Sequence, residues 1–126
     1  EFTDILFMNQ GNLQDLDSLG HLVGLHSHSH PLSMEELPFN EQKQEYEMCL
    51  SFLNKLLGKK KNQISYMSHP CGSYNRDTLR ILDSLGMDLG FKHIMHRSAS
   101  GAGEKTHNSN LEIPRVSHSI IIEGMG

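Results

Sequence analysis

The sequence predicts an α/β domain built on a mostly parallel sheet. Three observations predict it. Short apolar runs alternate along the chain with stretches of helical period. The polar, turn-forming segments follow the apolar runs, where parallel α/β sheets gather their ligands. The length, 126 residues with 37% hydrophobic content, suits one domain, 1–126, with one modest core.

The elements follow in order. Asn12 can cap a short helix with Leu13, Leu16 and Leu19 at spacing three, stopped by Gly20. "HLVGL" (21–25) reads as a buried strand. "SMEE" (33–36) has the capping-box pattern, but Pro38 interrupts it and a longer helix restarts near Asn40. Tyr46, Cys49 or Leu50, Leu53, Leu56 and Leu57 keep its apolar stripe, and Gly58 ends it. "QISYM" (63–67) is a second strand, and "SHPCGSYN" (68–75) is turn chemistry. Asn75 caps a helix with Leu79, Leu82 and Leu85 inward and Gly86 past its end. "LGF" (89–91) is a third strand, 96–110 a polar loop, and "LEIPRVSHSIII" (111–122) a fourth apolar run.

Composition excludes several functions. The net charge of −4 lacks the basic footprint of a nucleic-acid binder. Lys59, Lys60 and Lys61 read as a solvated helix terminus. No apolar run is long enough to span a membrane. Two cysteines make no disulfide framework; Cys49 reads as a small core residue.

"GHLVGLHSHSHP" (20–31) holds four of the nine histidines. In an extended strand His26, His28 and His30 would share a face at ~6.6 Å steps, with the outer pair ~13 Å apart, too far for one ion. If the chain instead turns helically, His26 and His30 at i and i+4 come to about 6 Å. Ser27 and Ser29 help turn the backbone, and Pro31 limits any helix beyond. A catalytic zinc site takes three protein ligands and an open position. Spacing alone leaves a metal site and an ion-free polar loop equally open.

The two segments together resemble the polysaccharide deacetylase (NodB-homology) family. "GHLVGLHSHSHP" is similar to its second motif, G-H-E-I-G-x-H-[ST]-x-x-H-P, and "SHPCGSYN" to its third, R-x-P-x-G-x-x-N. The likeness covers residues 10 to 122. It implies a partial or distorted (β/α) barrel and metal-assisted hydrolysis of an N- or O-acetyl group on a sugar. It implies His26 and His30 as ligands of a divalent metal, zinc, with cobalt or nickel as alternatives. It places the Cys71 amide at the oxyanion position, and Pro70, Gly72 and Tyr74 along the substrate groove. His118 is the implied general acid, supported by Arg115, and His69 is a spare ligand. His21, His93, His96 and His107 receive no role.

The sequence departs from the family at three points. The acidic motif T-F-D-D-G, which supplies the third ligand and the base, does not precede His26; Ser68 stands for the motif arginine and Leu22 for its glutamate. The chain therefore reads as the C-terminal part of a bacterial deacetylase domain acting on acetylated carbohydrate, with a homodimer expected through the exposed half-barrel face. The alternative is a non-catalytic relic or fragment that keeps a histidine metal-binding or sugar-binding surface.

Overall fold

The computed structural model describes residues 7–59, 63–93, 107–115 and 124. Its helices are α1 (Gln10–Ser18), α2 (Phe39–Leu57) and α3 (Arg76–Ser84), and its strands are β1 (Tyr66–Ser68) and β2 (Leu89–Phe91). Two 3-10 turns, Met34–Glu36 and Pro70–Gly72, lie between them.

β1 and β2 pair in parallel, with Tyr66 opposite Leu89, Met67 opposite Gly90 and Ser68 opposite Phe91. Single parallel bridges, Leu25 to Met67 and Phe91 to Ile113, extend the ladder on both sides. The spatial order thus follows the chain order, with α2 and α3 as the crossovers that parallel pairing requires. This is an α/β fold with a short parallel sheet. Among the described residues the sheet does not close into a barrel.

Two glycines permit the close approach of these strands. A Cβ on Gly24 would lie 2.7 Å from the Tyr66 carbonyl oxygen, and one on Gly90 2.9 Å from the Leu111 backbone and from Met67 Sδ. The expected strand 21–25 is reduced to its last residue, Leu25. The strand expected at 63–67 runs instead from Tyr66 to Ser68, because the Leu25 carbonyl accepts from the Ser68 amide at 2.9 Å.

α1 starts earlier than Asn12. Asn9 is its cap: its side chain accepts from the Asn12 amide at 2.9 Å while the Asn12 side chain accepts from the Asn9 amide at 3.0 Å. Ser33 makes no side-chain capping bond, so Met34–Glu36 stays a 3-10 turn. α2 begins after Pro38 and ends at Gly58, whose φ of 62° is the left-handed cap that glycine favours. α3 has the reciprocal Asn75–Thr78 capping box. Lys59 is not a free terminus: it pairs with Asp17 at 2.9 Å, tying the end of α2 to α1.

The core lies between α2, α3 and the sheet. Tyr46 and Leu53 meet Leu79, Ile81 and Leu82 above Leu25, Ile64, Met67, Met87 and Leu111, and Met34 closes one side. One buried polar joint crosses it. Thr78 donates its hydroxyl to Gln42 Oε1 at 2.5 Å, and Gln42 Nε2 donates to the Leu37 carbonyl at 2.9 Å. Both side chains are fully buried and both are satisfied. No helix among the described residues is long and apolar enough to cross a membrane.

Candidate active site

The site grows from the carboxyl ends of Leu25 and β1. His26 is the first residue past the bridge, and its Nδ1 lies 2.8 Å from the Ser68 carbonyl oxygen. A carbonyl only accepts, so Nδ1 carries the hydrogen, and in the neutral ring Nε2 keeps its lone pair. Metal-ligating histidines are commonly oriented in this way. The His30 ring stands 4.9 Å from the His26 ring, centre to centre, tilted by 59°.

The approach expected from a helical turn is achieved differently. Ser27 and His30 both take left-handed backbone, at φ 63° and 56°, and the Ser27 hydroxyl accepts from the His30 amide at 3.1 Å. Left-handed backbone costs a non-glycine residue about 1–2 kcal/mol, so something must hold the loop. α2 supplies the hold. Glu45 Oε2 accepts from the His28 amide at 3.0 Å and the Ser29 amide at 2.8 Å, and Oε1 accepts from the Ser29 hydroxyl at 2.7 Å. One turn further along α2, Cys49 lies beside the His26 amide.

Partial burial alone raises the Glu45 pKa. The bonds from the Ser29 backbone, the Ser29 hydroxyl and the His28 backbone outweigh it, and the net shift is downward. Burial pushes the Cys49 thiol up despite the His26 amide, which suits a packing group rather than a nucleophile.

The second loop follows β1. Pro70 is buried, Cys71 is exposed and Gly72 is half-buried. Cys71 takes φ 53° and Gly72 φ 66°. A Cβ on Gly72 would lie 2.8 Å from the His93 Cβ. Among the described residues no acceptor takes the Cys71 amide, while the Gly72 amide bonds the His69 carbonyl and the Ser73 amide the Pro70 carbonyl. The 3-10 turn at 34–36 is docked on this loop: the Glu35 amide donates to the Ser73 hydroxyl at 3.1 Å, and Asn75 Nδ2 donates to the Glu35 carbonyl at 2.9 Å.

Behind the loop sits a buried polar cluster. Tyr74 donates its hydroxyl to Glu112 Oε2 at 2.7 Å and stacks its ring on His69 at 4.4 Å. Tyr74 therefore braces the loop from its inner side. Glu112 is fully buried and also accepts from the His107 and Ser109 amides. Burial raises its pKa, but the Tyr74 hydroxyl and these amides outweigh it and lower it overall. His69 is fully buried and donates through Nε2 to the Leu111 carbonyl at 2.7 Å. Burial holds its pKa below the ordinary histidine value. This wiring makes His69 part of the frame and leaves its buried Nδ1 without a hydrogen-bond partner among the described residues. His107, given no role from sequence, pairs with Glu112 at 3.4 Å.

The residues expected from sequence thus fall in three groups. His26 and His30 come together, and Pro70, Cys71, Gly72 and Tyr74 form the adjoining loop on the same edge of the sheet. Arg115 is exposed, two residues past the Ile113 bridge. His118 lies outside the described residues. Among the described residues, no group of three His, Cys, Asp or Glu side chains could hold a metal. Glu45, Glu112 and the Ser68 carbonyl were not foreseen. For Glu45 a signal existed: it sits beside the buried Gln42, Tyr46 and Leu53 on α2, where an acidic residue needs a partner. A cavity of ≈ 420 Å³ opens beside His26, lined by Leu13, Val23, Cys49, Phe52 and Leu53.

Comparison with known proteins agrees with this arrangement. The profile of the polysaccharide deacetylase family matches residues 7–90, more than half of the chain. No curated protein matches the sequence. Among solved structures, the chain is similar to the Streptococcus pyogenes deacetylase PplD in complex with acetate, at 20% identity and a TM-score of 0.72, covering 94% of this chain and 51% of that one. It is similar to the BpsB deacetylase domain of Bordetella bronchiseptica, at 18% identity and a TM-score of 0.66, covering 86% and 48%. It also resembles BA3943, a CE4 family pseudoenzyme of Bacillus anthracis, at 20% identity and a TM-score of 0.57, covering 63% and 27%. These likenesses show the fold. The chain spans about half the length of the first two, so it corresponds to part of such a domain. The match over residues 7–90 takes in both the histidine loop and the Cys71 loop, and the chain belongs to the polysaccharide deacetylase family.

Proposed function

We propose that this chain carries part of the active site of a metal-dependent carbohydrate deacetylase, which hydrolyses an N- or O-acetyl group on a sugar. The observation that carries the reading is the His26–His30 pair, 4.9 Å apart, with the Nε2 of His26 left as a free lone pair by the bond to Ser68. Two imidazoles so disposed suit zinc, cobalt or nickel. The third ligand is a group outside the described residues or on another polypeptide. When bound, the metal polarises the acetyl carbonyl and lowers the pKa of a water.

The chain's own groups have distinct tasks in this reading. His26 and His30 hold the ion. The Cys71 amide donates to the acetyl oxygen as negative charge develops there. Pro70 and Gly72 shape the groove, with Tyr74 bracing it. His118 protonates the leaving amine or alcohol, and Arg115 fixes the carboxylate that supports it.

The second reading is a non-catalytic domain that keeps a histidine metal-binding or sugar-binding surface. It is favoured by the ligand set, which has two members among the described residues. One experiment separates the two. Acetate release from N- and O-acetylated oligosaccharides is measured with zinc present, for the chain and for His30→Ala. Release that disappears in the variant supports the deacetylase. Zinc bound by the pair with no acetate released supports the non-catalytic domain.

A further inference from the structure

We infer that Glu45 is the positioning residue that sets the distance and orientation of the His26–His30 pair. The inference rests on the reading of that pair as metal ligands. The stretch from His26 to His30 holds two left-handed non-glycine residues, Ser27 and His30. Nothing within five residues of polar loop makes such backbone favourable by itself. Its internal support is one bond, from the His30 amide to the Ser27 hydroxyl. The middle of the loop is held from outside: both Glu45 oxygens are used there, on two consecutive amides and one hydroxyl. Two adjacent N–H groups converging on one carboxylate oxygen fix the peptide plane between His28 and Ser29. With His26 anchored to Ser68 at one end, this plane fixes where His30 emerges.

Glu45 suits the task by its position. It is one turn from Cys49 on the same face of α2 and beside Tyr46, which is fully buried in the core. The helix therefore cannot turn to release the loop without unpacking. The charge also matters, because an ionised acceptor bonds N–H groups more strongly than a neutral one. The bonds of Glu45 go to the His28 and Ser29 amides and the Ser29 hydroxyl, not to the His26 or His30 rings. It acts through the backbone, as outer-shell groups of metal sites do.

The test uses the whole 126-residue chain as wild type, Glu45→Ala, Glu45→Gln and, as a control, Glu47→Gln, whose carboxylate meets only Lys43 at 3.5 Å among the described residues. Nuclear magnetic resonance reads the contact between the His26 and His30 rings and the exchange protection of the His28 and Ser29 amides. Zinc and cobalt titrations read affinity. In Glu45→Ala the ring contact and the two protections disappear while core amides such as Leu82 stay protected, and zinc affinity falls roughly 10–100-fold. Glu45→Gln recovers most of both, because its amide oxygen still faces the two N–H groups. Glu47→Gln resembles wild type. Ring contact and amide protection unchanged in Glu45→Ala would overturn the inference. If wild type binds neither metal, the resonance readouts still decide the role of Glu45, and the loss falls on the deacetylase reading instead.

Discussion

His26 Nδ1 and the Ser68 carbonyl oxygen lie 2.8 Å apart, joining the histidine loop to the last residue of β1. The bond ties the two motif segments to one another and settles the tautomer of His26. Because the acceptor is backbone, the identity of the side chain at 68 is not what orients the ring. Ser68→Ala is therefore expected to leave zinc affinity unchanged. His26→Ala is expected to lower it by more than the roughly 10–100-fold typical of losing an outer-shell partner. Isothermal titration of both variants checks the contrast; a large loss in Ser68→Ala would show that its hydroxyl takes part.

The Thr78–Gln42 joint gives a stability prediction. Thr78→Val keeps the shape but removes the donor to Gln42 and half of the α3 capping box. A buried acceptor left unpaired costs about 1–3 kcal/mol. Urea unfolding should show a loss of that size, with the slope of the transition unchanged.

Gly90 stands between Leu111 and Met67, and an added Cβ would meet both at 2.9 Å. The Leu111 contact is backbone and cannot step aside. Gly90→Ala should destabilise the chain by about 1–3 kcal/mol through overpacking. Gly20→Ala makes a useful comparison: among the described residues, its chain neighbours aside, no atom lies within 4 Å of its Cβ, so its cost is that of φ 93°. Thermal unfolding of the pair separates steric from conformational cost.

Acid should destabilise the fold in two stages. His69 is held below its ordinary value of 6.5, chiefly by burial. The unfolded chain therefore binds the proton first, and stability falls as the pH drops below about 6.5. Glu112 and Glu45 lie below their ordinary value of 4.5: burial opposes the shift, and the hydrogen bonds they accept exceed it. Their contribution is complete above that value and is lost as the pH falls further. His69→Gln, which keeps an N–H donor for the Leu111 carbonyl, should flatten the curve between pH 6.5 and 5 and leave the lower stage intact. Denaturant midpoints measured from pH 7 to 3 test both stages.

Local chemistry was legible where it is settled by near neighbours. Asn75 as the α3 cap, Gly58 at the end of α2 and the strand Leu89–Phe91 all stand where the sequence puts them. The α1 cap was displaced from Asn12 to Asn9 because two asparagines three apart can each cap the other, and the capping box uses both. "HLVGL" has strand composition, yet only Leu25 pairs, since a run's pairing length depends on what lies beside it.

The sequence by itself determined the α/β class and the family, because each rests on residue types at short, fixed spacings; it implied the approach of His26 to His30 only on condition of a turn. Tertiary structure alone decided what holds that pair. Glu45 reaches a loop 16 and 17 residues away, Ser68 accepts from a ring 42 residues away, and Glu112 is bonded by Tyr74 38 residues away. A side chain's distant partner depends on which helix face and strand end the packing brings together, and no local spacing encodes that.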